Sequence, residues 1–98
     1  MVVVTADHGE EFGEHGGLTH GRTLYDELLH VPLVVTAPGV VPGAVDAPVS
    51  LLDIGPTVLE LVGLLRPVAF EGRSLVPLMH GATDLASPPL IAELEPEN

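Results

Sequence analysis

Val2-Val3-Val4-Thr5-Ala6-Asp7-His8-Gly9-Glu10-Glu11-Phe12-Gly13-Glu14-His15-Gly16 is the stretch that decides how this chain is read. Three consecutive valines specify a strand covered on both faces, because β-branched side chains suit the pleat and an unbroken apolar run belongs to a parallel, helix-covered sheet. The run ends in Asp7 and His8, at the strand's carboxyl end. Open α/β sheets gather their ligands there, in the crevice beyond the strand tips. A carboxylate beside an imidazole is a common donor pair for a divalent cation. Neighbours on a regular strand face opposite ways, so the two can share one ion only where the backbone turns, and Gly9 permits that turn.

Working outward, Asp7, Glu10, Glu11 and Glu14 set four carboxylates within eight residues, with no Lys or Arg before Arg22. Such a field is costly to ionise unless a cation or water answers it. A solvated acidic loop with incidental histidines is the plainer reading. The strand-tip position favours the metal.

The acidic bias extends to the whole chain. Its 98 residues hold 14 Asp plus Glu against 3 Lys plus Arg, a formal charge of -11, which argues against binding nucleic-acid phosphates or anionic membranes. At 46% hydrophobic and 17% charged residues the composition is that of a folded chain, long enough for one modest core. No cysteine is present, which excludes disulfides, thiolate zinc sites and a cysteine nucleophile within this segment. No apolar run reaches the ~18 residues of a membrane span, and the first residues lack the basic head of a signal peptide. A chain that opens inside a buried strand reads as a fragment of something longer.

Past the acidic loop, residues 18–22 read as irregular because glycines surround them. Thr23 and Asp26 have capping-box spacing, which predicts a short helix over residues 23–29 ended by Val31-Pro32. Leu33 to Ala37 is a second buried strand, closed by Pro38-Gly39. Val45 to Val49 is a short extended piece, at an edge or outside the sheet because of Pro48. From Leu52 to Leu64, apolar residues at spacings of three and four describe a helix packed on a sheet, with Asp53 as its cap and Pro56 in its first turn. Ser74 caps a one- to two-turn helix running to Met79, residues 81–88 are linker-like, and Pro89 to Leu94 is a last strand. Alternating strands and helices give an α/β class.

Thr5-Ala6-Asp7-His8-Gly9-Glu10, Gly13-Glu14-His15-Gly16, His20, Tyr25-Asp26-Glu27, Val31-Pro32-Leu33 and Pro38-Gly39, taken in order, resemble the sulfatases of the alkaline phosphatase superfamily. The segments Val49 to Gly63 and Gly72-Arg73-Ser74-Leu75 look like the same family's next helix and turn, so the likeness covers about residues 1–80. The resemblance implies a partial alkaline-phosphatase-like layered domain, mostly parallel strands with flanking helices, filling residues 1–98. It implies that Asp7 and His8 are the second pair of ligands to one divalent ion, usually calcium, and that the first pair lies upstream of Met1. It sets His20 where the family has a Lys or His that touches the sulfate ester and protonates the departing oxygen. His15 takes a supporting role behind the ligands, and Glu10 and Glu11 are solvated or back up the site. The family's Cys/Ser-x-Pro-x-Arg signature, source of its formylglycine nucleophile, is missing. Ser87-Pro88-Pro89 does not match it, nor does any other serine.

The expected substrate of the full-length enzyme is a sulfate ester. Phosphonate or phosphate monoester hydrolysis, or phosphotransfer, on the same fold is the alternative within the superfamily, and a non-catalytic acidic module that binds a metal or partner is the alternative outside it. Two ligands cannot hold calcium, which takes about six to eight oxygens. The segment alone is therefore expected to bind metal weakly and to turn over nothing.

Overall fold

The computed structural model describes residues 1–83, 85 and 89–95. Residues 84 and 86–88 of the expected linker, with Ser87-Pro88, lie outside the described residues, as do Pro96, Glu97 and Asn98 of the tail. The chain forms two compact units, one from Met1–Thr36 with the described residues from Ile91 onward, the other from Ala37–Leu90.

In the first unit, strand β1 (Val2–Thr5) pairs with β4 (Leu33–Thr36), Val3 facing Val35 and Val4 facing Val34. Between them come a hairpin of β2 (Glu11–Phe12) and β3 (Leu18–Thr19) and one helical turn, α1 (Asp26–Leu29). Both strand pairs are antiparallel, unlike the parallel sheet that the valine run predicts. The chain leaves β1 at Thr5 and, after the hairpin and α1, re-enters at Leu33, the residue paired with Thr5, so it returns at the end where it left. Burial differs from the expectation too. Val2, Val4 and Val34 are exposed and share one face, while Val3, Leu33 and Val35 are half-buried on the other.

The predicted helix over residues 23–29 shrinks to its last turn. Thr23 does not cap it, because its hydroxyl donates instead to Glu11 Oε2 at 3.0 Å, and Tyr25 stands at the cap position without a side-chain bond. The stretch 18–22, read as irregular, contributes β3 to the hairpin. The described residues from Pro89 to Leu94 form no strand, nor do Val45 to Val49.

The second unit is built on α2 (Ile54–Leu61), preceded by a 3₁₀ turn over Leu51–Asp53, and on α3 (Val76–Met79). Ser50, rather than Asp53, supplies the cap. Its hydroxyl accepts from the Leu52 N–H at 3.2 Å, and Asp53 Oδ2 reaches back to the Ser50 N–H at 2.9 Å, a reciprocal capping box. Asp53 is buried and its other oxygen accepts from the Arg73 N–H at 2.8 Å. Thr57, one turn on, donates to Asp53 O at 2.6 Å and accepts from the Leu75 N–H at 2.9 Å. Two polar side chains thus tie α2 to the segment leading into α3, beside the buried Leu75 and Leu78. A buried polar group left unmatched costs about 1–3 kcal/mol, so these paired contacts also fix the register of the two segments. Leu75, not Ser74, stands at the cap position of α3 and makes no side-chain cap bond; the Ser74 hydroxyl, one residue earlier, accepts from the Val76 N–H at 3.2 Å.

Candidate functional site

The site lies in the first unit, where β1 gives way to the acidic hairpin. Thr5 pins the end of the strand by donating from Oγ1 to Pro32 O at 2.8 Å. The Gly9 N–H donates to Leu28 O at 2.8 Å, so the backbone turns directly after His8 and rests on α1. A Cβ on Gly9 would lie 1.8 Å from Glu27 O, which is why only glycine fits.

That turn brings the Asp7 and His8 side chains to one side. Asp7 Oδ1 accepts from the His8 N–H at 2.9 Å, and Asp7 Oδ2 lies 3.8 Å from His8 Nε2. His8 Nδ1 lies 2.7 Å from Gly9 O. A carbonyl only accepts, so Nδ1 carries the proton and, in the neutral ring, Nε2 keeps its lone pair toward Asp7. A carboxylate oxygen and an imidazole lone pair at this separation suit two ligands of one ion, since metal–ligand distances of about 2.0–2.6 Å put adjacent ligands at such a spacing. The residues therefore fit a divalent cation. The Asp7 side chain is 88% accessible, leaving room for further ligands.

His20 joins this pair through the hairpin. Glu11 faces Thr19 in the β2–β3 register, which sets Glu10 and His20 one step beyond, at the hairpin's open end. His20 Nδ1 lies 3.2 Å from Glu10 Oε1, and the His20 ring stacks on His8 with centroids 4.1 Å apart. The Glu10 carboxylate accepts from Nδ1, so Nε2 is the nitrogen that this contact does not occupy. Thr19, just before His20, has φ of 84°, a left-handed conformation that costs a β-branched residue about 1–2 kcal/mol. Glu10 is the residue that sequence reading left in the background. Its only signal was the hairpin, written in Gly13 and Gly16, whose φ values are 97° and 80° and whose backbones bond across the turn at 3.1 Å.

His15 lies with a different group. Its Nδ1 is 2.6 Å from Glu27 Oε1, and its ring stacks on Tyr25 at 3.7 Å. Glu11, buried at 3% exposure, accepts from Thr23 through Oε2, while its Oε1 has no hydrogen-bond partner. One donor atom from each of Glu11, His15 and Glu27 lies within 4.8 Å of the others.

The Glu27 carboxyl is held below its ordinary value of 4.5, first by its own backbone N–H and then by His15. A depressed folded-state value means the pair's stabilisation is present above the unfolded value and is lost as pH falls through the folded one. The His15 ring resonances should therefore shift in an acid step below pH 4.5, and Glu27→Gln should remove that step. Nuclear magnetic resonance titration of both proteins checks it, and an unchanged step in the variant would contradict the pairing.

The family Sulfatase matches residues 1–64. Arylsulfatase K of Danio rerio is 41% identical over 80 residues, covering 81% of this chain and 15% of the relative. The choline-sulfatase of Rhizobium meliloti (strain 1021) is 35% identical over 85 residues, covering 83% and 16%. The uncharacterized sulfatase YidJ of Escherichia coli (strain K12) is 33% identical over 75 residues, covering 76% and 15%. The chain spans roughly one sixth of the length of these curated relatives. No solved structure matches it. Among the described residues, no helix is long and apolar enough to cross a membrane. With the family match running through Asp7, His8, His15 and His20, and with these relatives alongside it, the chain belongs to the sulfatase family.

Proposed function

We propose that this chain supplies two cation ligands and the leaving-group acid of a sulfuric ester hydrolase whose nucleophile and remaining ligands lie in other segments. The observation that carries this reading is the grouping of Asp7, His8 and His20, with Asp7 Oδ2 and His8 Nε2 3.8 Å apart and the two imidazoles stacked. Asp7 and His8 would hold the divalent cation, calcium in this reading. When bound, such a cation stabilises the negative charge that spreads over the ester oxygens in the transition state.

The chain's own residues prepare that step. Gly9 O fixes the His8 ring with Nε2 available. Glu10 fixes the His20 ring through Nδ1, so that the protonated ring presents Nε2–H to the bridging oxygen as its bond to sulfur breaks. Delivering that proton lets the alcohol leave neutral rather than as an alkoxide. His15 acts at a distance. It holds Glu27 on α1, and α1 is the surface on which Gly9 rests, so His15 is a positioning residue for the turn that aims Asp7 and His8.

A segment exchange tests the reading. The choline-sulfatase of Rhizobium meliloti, with its matching segment replaced by this one, should hydrolyse its sulfate ester within about tenfold of the parent rate if the ligands and acid are equivalent. A folded chimera with no turnover would overturn the proposal.

A further inference from the structure

We infer that Glu11, His15 and Glu27 form a second cation site, separate from the Asp7–His8 pair and selective for a zinc-class divalent ion. The buried Glu11 carboxylate carries the inference. Only Oε2 is matched, by the Thr23 hydroxyl, and Oε1 is buried without any hydrogen-bond partner. A carboxylate oxygen withdrawn from water and left unanswered is costly, and native structures rarely keep one without a reason. Two side chains of ligand type are within reach. His15 and Glu27 each bring a donor atom to within 4.8 Å of one on Glu11, inside the span of a single coordination sphere.

Backbone packing keeps the cluster tight. A Cβ on Gly17 would come within 2.7 Å of Glu11 Oε2, so the chain passes directly against the carboxylate and holds it toward His15 and Glu27. Glu11 is buried, Glu27 half-buried and His15 exposed, which leaves an open side for entry and for water ligands. Tyr25, stacked on His15, fixes the ring.

Donor chemistry selects the ion. The donor set of one imidazole nitrogen and two carboxylates is one that zinc-class ions accept readily. In the metal-free protein the His15 Nδ1 proton is shared with Glu27 across 2.6 Å. A bond from the cation to Nδ1 displaces that proton to solvent, so binding should release protons and weaken as pH falls. The cation would lock the β2–β3 hairpin to α1, a structural role distinct from the chemistry proposed for His8 and His20.

Equilibrium dialysis of the full 98-residue chain against Zn²⁺ alone tests the inference, since it counts bound metal whether or not the chain self-associates. The expected result is one zinc per chain, retained in Asp7→Asn/His8→Ala and weakened about tenfold or more by Glu11→Gln and, independently, by Glu27→Gln. Glu27→Gln, at a half-buried position on α1, guards against a folding defect at the buried Glu11; circular dichroism on both variants confirms that the fold persists. Zinc binding that is absent from the wild-type chain, unchanged in both glutamine variants, or lost only in the Asp7/His8 variant would overturn it. The last outcome would assign the zinc to the other pair, so failure here leaves the sulfatase reading standing.

Discussion

Gly9→Ala is expected to cost about 3 kcal/mol or more of stability and to abolish cation binding at Asp7 and His8 together. Overpacking a well-filled site usually costs about 1–3 kcal/mol, because flexible side chains give way. Here nothing flexible is in the path. The added Cβ would sit 1.8 Å from Glu27 O, 2.9 Å from Glu27 C and 3.2 Å from Leu28 Cα, all backbone atoms. To accept it, the loop must lift off α1 and break the 2.8 Å bond from the Gly9 N–H to Leu28 O. That movement swings the peptide following His8, and with it the Gly9 carbonyl that fixes the His8 ring.

Gly43→Ala is the control, since a Cβ there meets nothing within 4 Å and the backbone is not left-handed. It should be neutral or stabilising by up to about 1 kcal/mol, through the unfolded chain's lost entropy. Urea denaturation followed by circular dichroism separates the two variants, and dialysis of the choline-sulfatase chimera carrying each variant against Ca²⁺ reads the site. Equal stability of Gly9→Ala and Gly43→Ala would show that the turn does not rest on α1.

Much of this site was legible in the sequence because its chemistry is local. Asp7 and His8 are adjacent, and the turn that lets them converge is encoded in the next residue. His20 needed more, since its approach to His8 depends on a hairpin whose strands are two residues each and too short to leave a periodic signal. The same hairpin hides Glu10, which looks like one more solvated acid until the register sets it across from His20.

Sheet direction was not legible. Val2 to Val4 and Leu33 to Val35 are apolar enough for a parallel sheet, and direction is set by where the chain re-enters, with Leu33 opposite Thr5, which an apolar pattern does not record. Asp53 was misread as well. Ser50 and Asp53 both satisfy cap chemistry at three-residue spacing. The Ser50–Asp53 capping box is itself a local signature, and the Arg73 N–H, brought from 20 residues away, adds a second, distant partner for Asp53.

His20→Ala, made in the choline-sulfatase chimera, is expected to slow hydrolysis of an alkyl sulfate about 10²- to 10⁴-fold, the usual worth of a positioned general acid. The loss should fall on kcat, because the proton is needed as the bond to the leaving oxygen breaks and not when substrate binds. It should also depend on the leaving group. An alkoxide is too basic to depart unaided, whereas a nitrophenolate carries its own charge, so the same variant should lose only about tenfold or less on a nitrophenyl sulfate. Glu10→Ala should show a weaker form of this pattern, since it frees the His20 ring without removing the acid. A purely structural role for His20 predicts something else: equal losses on both substrates, because a disordered loop harms every ester alike. Equal losses would take the leaving-group acid away from His20 while leaving Asp7 and His8 as ligands. A loss confined to the alkyl ester can come only from a group that hands over a proton in the rate-limiting transition state.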